Sequence, residues 1–279
     1  MLKPVLVTGA SSGIGAATAR RLAQTGFRVF AAARRLDKLE ALAASAPQGA
    51  IRPLQMDVTD EGAVERGFQD IAADGATLYG VVNNAGFSVT GPIECVPTNE
   101  WRRQYETNVF GLANVLRAAT PILRAQGTGR IVNISSVAGR IVTPFFGVYA
   151  SSKHAVDGLS DALRRELAPF GVAVSIVRPG FINTPIGEGE QDGLAPYMEP
   201  NNPYAKALGV FQKWHAAKHP NAPSPDIVAQ VVEKALTAAC PKSHYIVPPR
   251  FAALIALRTF LPTSIVDRIV ARTIGLPNA

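Results

Sequence analysis

The sequence predicts an α/β fold: a doubly wound, mostly parallel sheet of seven strands flanked by helices, followed by a C-terminal helical extension. Three observations predict it. Short apolar, β-branched runs alternate with amphipathic helical patterns from residue 4 to residue 247. Strands separated by helix-length segments pair in parallel. A glycine-rich turn, Thr8-Gly-Ala-Ser-Ser-Gly-Ile-Gly15, stands between the first such run and the first helical pattern. The chain has 279 residues, 47% hydrophobic and 18% charged, which suits one sizeable core rather than two domains.

Residues 4–7 read as the first strand, and a helix over 14–25 follows, with Ile14, Ala17, Thr18, Arg21 and Leu22 spaced to pack along one side. Between them, Gly9 permits a tight turn, Gly13 lets the backbone approach a pyrophosphate, and Gly15 lets the helix lie close on the sheet. The free N–H groups of that helix start favour negative charge. Residues 27–33 read as the second strand, 36–44 as a helix and 51–56 as the third strand. Thr59 and Asp60 look like a cap for a helix over 63–73. The run Leu-Tyr-Gly-Val-Val at 78–82 gives the fourth strand. Thr98 opens a long helical stretch to about residue 125, with Asn108 inside it. Asn is a poor residue there, because its side chain competes for backbone bonds.

Residues 131–134 make the fifth strand, with Ser135 and Ser136 at its carboxyl end. A loop containing Gly139, Pro144 and Gly147 leads to Tyr149, which opens a helix to about residue 170. Tyr149 and Lys153 are four apart and share one helix face. A phenol titrates near ~10, and a neighbouring ammonium lowers that value, so Tyr149 is a candidate general acid or base. Ser136, thirteen residues earlier, could bond the same substrate oxygen. The sixth strand covers 172–177. From 185 to 223 the pattern dissolves into glycines and prolines, with one helical piece at 204–218; this is the expected place of a substrate lid. Ser224-Pro225 starts a helix to about residue 239, and 245–247 is the last strand.

The glycine turn, Asn83-Asn84-Ala85-Gly86, Ser136, Tyr149 and Lys153 together resemble the short-chain dehydrogenase/reductase family, over residues 3 to about 185. The resemblance implies a Rossmann-type dinucleotide-binding and catalytic domain over 1–249, with the ligand at the carboxyl ends of the strands. It implies catalytic roles for Asn108, Ser136, Tyr149 and Lys153, with Asn108 kinking its helix and holding a water. It places the cofactor on Gly9, Ser11, Ser12, Gly13, Ile14 and Gly15, with Asp57 and Val58 beside the adenine. Asn84, Ala85 and Gly86 would lie near a ribose, and Lys153 and Tyr149 near the nicotinamide ribose. Pro179, Gly180, Ile182 and Thr184, in the stretch Arg178-Pro-Gly-Phe-Ile-Asn-Thr184, would hold the nicotinamide carboxamide. Family members that use NAD put an acidic residue at the end of the second strand. Here Ala33 stands there, followed by Arg34 and Arg35, and an Arg would pair with a 2′-phosphate. The expected cofactor is therefore NADP (NADPH), with Arg34 as its phosphate ligand.

β-Ketoacyl reductases of the family close soon after the last strand, whereas this chain adds residues 250–279. That resembles the hydroxysteroid and retinol dehydrogenase branch and implies a lipophilic alcohol or ketone. A β-ketoacyl reductase is the alternative within the family, and a non-catalytic dinucleotide-binding regulator the alternative outside it. In the tail, 251–261 is nearly all apolar, broken by Arg258 and stopped by Pro262. Thr263-Ser264 then opens a helix with Ile265, Val266, Ile269, Val270 and Ile274 on one side and Asp267, Arg268 and Arg272 on the other. Three surfaces compete to bury that stripe: the pocket mouth, a second subunit in a homodimer or homotetramer, or a membrane surface touched reversibly.

Other classes are disfavoured. The net charge of +7 comes from basic residues spread along the chain, without a nucleic-acid recognition motif. Cys95 and Cys240 are isolated, so neither a disulfide framework nor a zinc spacing is expected. His154, His215, His219 and His244 lack partners at ligand spacing, so no metal is expected. No G-x-S-x-G elbow makes Ser136 a hydrolase nucleophile. The chain enters a strand at once, without a signal peptide's apolar core, and no apolar run nears the ~20 residues that span a bilayer. The expected location is cytoplasmic, peripheral to a membrane at most.

Overall fold

The computed structural model describes residues 3–218 and 221–276; His219, like the last residues of the tail, lies outside them. Seven strands form one parallel sheet in the order β3-β2-β1-β4-β5-β6-β7. They are β1 (Lys3–Thr8), β2 (Phe27–Ala33), β3 (Ile51–Gln55), β4 (Gly80–Asn83), β5 (Gly129–Ile134), β6 (Val172–Pro179) and β7 (His244–Val247). The strand order reverses between β1 and β4, where an open α/β sheet leaves a crevice at its carboxyl edge. Pro53 is tolerated because β3 is an edge strand.

Both faces are covered. One cluster packs Val5, Val7, Val29 and Val82 under α1 (Gly13–Gln24), α2 (Leu36–Ala44) and α9 (Asp226–Thr237). The other packs Leu6, Phe30, Val81 and Ile131 under α3 (Glu61–Ala73), α5 (Gly111–Ala125) and α6 (Gly147–Leu167). Each such side chain is worth about 1.5–3 kcal/mol when fully buried. This two-sided burial is why the strands read as continuous apolar runs rather than alternating ones.

Three segments differ from the sequence reading. The long stretch after Pro97 is two helices, α4 (Thr98–Tyr105) and α5, joined by a π turn over Glu106–Phe110 with Asn108 at its centre. Asn108 turns its side chain across to other elements, so the α-helical ladder slips there. Leu78 and Tyr79 precede β4 rather than belonging to it, although Leu78 is buried and Tyr79 N–H donates to Pro4 O at 2.8 Å. In 185–223, Pro185–Asp192 is a helix, α7, ahead of α8 (Ala205–Lys218). Gly187 and Gly189 hide α7 from propensity, and tertiary contacts hold it: Thr90 Oγ1 donates to Glu190 O at 2.9 Å.

The tail forms α10 (Arg250–Phe260) and α11 (Thr263–Ile274). Ala271 and Ile274 are buried, and Ile274 joins a cluster with Phe146, Leu194, Leu208 and Phe211. Phe251 packs against Gly180, where any Cβ would collide with the ring. The tail is therefore packed on its own chain, beside α8 and the loop after β6.

Candidate active site

The carboxyl ends of β1, β4, β5 and β6 meet in a cavity of about 350 Å³. Gly9 and Gly13 have φ of +66° and +54°, left-handed values that favour glycine. A Cβ on Gly9 would stand 2.8 Å from Ala85 Cα, and one on Gly15 would overlap the Gly9 carbonyl. The glycine turn is thus pressed onto the Asn84-Ala85-Gly86 turn. Thr8 Oγ1 accepts from the N–H groups of Asn84 and Ala85, both at 3.0 Å, and Asn84 Nδ2 donates to Thr8 O at 3.0 Å. Asn83 instead bridges strands, donating to Asn133 Oδ1 at 2.8 Å, and Asn133 donates on to Ser160 Oγ at 2.8 Å.

Helix α1 starts at this turn without a side-chain cap on its first N–H groups and without an acidic residue in its first turn. Ser12, Gly13 and Ile14 line the cavity. Uncapped donors beside an open space, with no acid in the helix's first turn, fit the phosphates of a dinucleotide. Ser11 is tied from outside: Arg35 Nη2 donates to Ser11 Oγ at 2.9 Å and to Ser12 Oγ at 3.4 Å. Arg34 is exposed, and its described bond is through its carbonyl, which accepts from Gln55 Nε2 at 3.2 Å. The arginine that reaches the glycine turn is therefore Arg35.

Ser136, Tyr149 and Lys153 line the cavity as well. Ser136 Oγ accepts from Ala138 N–H at 3.1 Å, donates to Pro179 O at 3.4 Å, and is hydrogen-bonded to the Tyr149 phenol. Lys153 is buried, and Nζ donates to Ile134 O at 2.9 Å, 5.8 Å from the Tyr149 ring centroid. Burial pushes the phenol well above its ordinary value; the Glu190 carboxylate adds to that, and the Ser136 bond opposes it. Desolvation is the largest of these effects, and it runs against the lowering by the ammonium expected from the sequence. Burial lowers Lys153 to about 8, against the opposing charge of Asp157.

Asn108 stands behind this wall. Its Nδ2 donates to Phe87 O at 3.0 Å and Ser152 Oγ at 3.1 Å, and its Oδ1 accepts from Phe87 N–H at 3.1 Å. A Cβ on Gly86 would lie 3.0 Å from Asn108 Oδ1 and 3.7 Å from Lys153 Nζ. Pro179, Gly180, Ile182 and Thr184 line the cavity as well. Ser11, Gly15, Arg34, Asp57, Val58 and Ala85 do not. Asp57 Oδ1 accepts from Thr59 N–H at 3.0 Å and Thr59 Oγ1 at 2.9 Å, and Val58 O accepts from Asn114 Nδ2 at 3.0 Å. That pair is fixed at the end of β3, at some remove from the catalytic end.

Three further residues of the site lie outside the motifs. Asp157, one helical turn beyond Lys153, is buried and takes Arg140 Nε at 2.9 Å and Arg178 Nε at 3.0 Å. An acid four residues after a buried lysine was its signal. Glu190 and His215 face the cavity from α7 and α8, with His215 Nε2 at 3.1 Å from Glu190 Oε2. No local pattern links residues so far apart.

The remaining wall is mostly apolar: Phe146 and Phe181, with Phe251, Leu254, Leu261, Val266, Ile269 and Ile274 from the tail, and Arg258 among them. Of the three surfaces open to the tail stripe, the structure places much of it on the pocket. Among the described residues no group of three His, Cys, Asp or Glu could hold a metal ion.

A short chain dehydrogenase family profile matches residues 3–194. The uncharacterized oxidoreductase YbbO of Escherichia coli (strain K12) is 33% identical over 273 residues, covering 97% of this chain and 94% of that protein. An NADPH-dependent 3-dehydrocapnine reductase from Ornithobacterium rhinotracheale is 33% identical over 274 residues, covering 96% of each chain. Among solved structures, a short chain dehydrogenase/reductase from Burkholderia phymatum in complex with NAD superposes with a TM-score of 0.79 at 27% identity, over 92% of this chain and 93% of that one. With the parallel sheet, the glycine turn and the Ser136–Tyr149–Lys153 wall in place, the chain belongs to the short-chain dehydrogenase/reductase family of oxidoreductases, which work with a nicotinamide dinucleotide.

Proposed function

We propose that the protein is an NADP(H)-dependent oxidoreductase acting on a lipophilic alcohol or ketone, with Tyr149 as general acid and base. The observation that carries this reading is one cavity with two kinds of wall: the glycine turn, Ser136, Tyr149 and Lys153 on one side, and apolar side chains of the tail on the other. A dinucleotide held there would supply or accept the hydride at the substrate carbon. Tyr149 Oη gives or takes the proton at the substrate oxygen, and Ser136 Oγ donates a hydrogen bond that orients that oxygen. Lys153 holds the nicotinamide ribose, and its charge offsets the burial that keeps Tyr149 protonated. Asn108 fixes the Gly86-Phe87 segment and holds a water leading to Lys153. Asp57 and Val58 flank the adenine, Asn84 to Gly86 a ribose, and Pro179 to Thr184 the carboxamide. The test is a panel of apolar ketones and alcohols with each cofactor, following reduced-nicotinamide absorbance; no turnover of any apolar substrate would overturn the reading.

Arg34 and Arg35, following Ala33 at the end of β2, supply the charge for a 2′-phosphate, and the bonds of Arg35 to Ser11 and Ser12 favour it for the larger share. Arg35→Ala with Ala33→Asp should cut NADPH affinity roughly ten- to hundredfold, as the loss of one charge-assisted bond predicts, and move preference toward NADH. Arg34→Ala alone should do less. Calorimetric titration of both cofactors decides it, and a wild type that already prefers NADH would overturn the assignment.

Deleting residues 250–276 and beyond should preserve dinucleotide binding and raise KM for bulky apolar substrates more than for small ones. Equal effects on both would mean that the tail serves folding alone. Part of the tail also faces outward: Phe260 is 84% exposed and Leu254 39%, close to Arg258. No helix among the described residues is long and apolar enough to cross a membrane. The surface suits reversible contact with anionic lipid, read by liposome co-sedimentation at low salt. Assembly as a homodimer or homotetramer, which the family resemblance implies, is read by light scattering.

A further inference from the structure

The apolar half of the cavity contains two charges that the proposed chemistry does not use, Arg258 of the tail and a carboxylate. Among the described residues lining the cavity, Glu190 is the one carboxylate. It sits on α7, and its side chain is 12% exposed. His215, 2% exposed on α8, holds Oε2 at 3.1 Å. The rings of Phe146, Phe181 and Phe211 pack around that imidazole, which fixes its direction. With Nε2–H donating to Oε2, the carboxylate keeps lone pairs on both oxygens, and Oε1 has no described hydrogen-bond partner.

A tie between α7 and α8 does not need a charge at a cavity wall; apolar packing of similar volume serves as well or better. This charge also works against the bare site, because it pushes the Tyr149 phenol further up. Both costs disappear if the ligand brings a positive charge to the same place. An ammonium group would satisfy Oε1 and cancel the field that Glu190 sets up at Tyr149. With Oε1 left to water alone, the carboxylate penalises a purely apolar ligand that strips that water away.

We propose that Glu190, oriented by His215, is a specificity-determining residue that binds a primary ammonium group carried by a lipophilic substrate close to its reacting carbon. The substrate class is then a long-chain amino alcohol or amino ketone. Its chain lies against Leu254, Val266 and Ile269, and its amine lies between the tail and Tyr149. This deepens the oxidoreductase reading and rests on it for the word substrate, but not for the binding of the amine.

Two measurements on the full-length protein test it. In calorimetric titration, octylamine should bind roughly tenfold or more tightly than 1-octanol, the scale of one charge-assisted bond, and Glu190→Gln should remove the difference. Equal affinity of the wild type for the two ligands overturns the proposal without reference to any variant, as does a preference that survives in Glu190→Gln. In turnover, the kcat/KM ratio of a long-chain vicinal amino alcohol to the same alcohol lacking the amine should fall about tenfold in Glu190→Gln. An unchanged ratio also overturns it. If neither alcohol is oxidised while octylamine still binds through Glu190, the oxidoreductase reading fails and the amine site stands.

Discussion

Tyr149→Phe lowers kcat/KM by roughly 10²–10⁴, the range general acid–base catalysis contributes, and leaves dinucleotide affinity within a few-fold. The substitution removes one hydroxyl and almost no volume. What it takes away is the proton that must reach the substrate oxygen as hydride reaches carbon. Ser136 cannot replace it: an aliphatic hydroxyl is a far weaker acid than a phenol, so it can orient the substrate oxygen but not give up its proton. Steady-state kinetics with titration of the dinucleotide separates the two effects. A variant with activity within a few-fold of wild type would remove Tyr149 from the mechanism, and equal losses of binding and turnover would make it a packing residue.

Lys153→Met produces a protein that is nearly inactive and more stable near neutral pH. Lys153 is lowered to about 8 from an ordinary 10.5 because it is buried. Its folded pKa lies below its unfolded one, so folding carries the full cost of the buried charge at pH below about 8. Stability then rises with pH between about 8 and 10.5, as the folded lysine loses its proton first. Removing the charge should therefore stabilise the protein at pH 7 by up to about 3 kcal/mol, at 1.36 kcal/mol per unit. The Ile134 carbonyl, left without its donor, reduces that gain. Thermal melts from pH 7 to just under pH 10 should show a higher midpoint and a flatter pH dependence than wild type. Above pH 10 Tyr149 works in the opposite direction, since its raised value makes the folded state resist ionisation. A variant less stable than wild type at pH 7 would show that Lys153 is a structural tie. Such an exchange of stability for activity is common where catalysis needs a buried charge.

Much of the fold was legible because its signals are local. Runs such as Val5-Leu6-Val7 and Val81-Val82 are apolar on both faces of their strands, and the glycine turn sits between a strand and a helix. The wall of the site was legible for the same reason, since Ser136, Tyr149 and Lys153 lie within one strand–loop–helix unit. What stayed hidden depends on contacts between distant segments. Helix α7 contains Gly187 and Gly189 and is stabilised by Thr90, one hundred residues away along the chain. The Glu190–His215 pair joins two helices whose approach no spacing rule gives. The choice between Arg34 and Arg35 turns on which way a short connection points its side chains, and neighbours in sequence do not reveal that. The phenol's value was misjudged because the sequence shows the charge beside Tyr149 but not the depth at which both are buried.

The placement of α10 and α11 has a consequence for how the protein comes into being. Every strand precedes these helices in the chain, so a ribosome delivers the glycine turn, the Ser136–Lys153 unit and the loop after β6 before the apolar wall. A chain grows from its N-terminus, and a domain generally folds as a unit. Until the tail is delivered, the greasy half of the cavity lacks its cover and Gly180 lacks the ring of Phe251. A chain cut at Pro249 reproduces that stage, and what it binds shows what the newborn protein can hold before its pocket is closed.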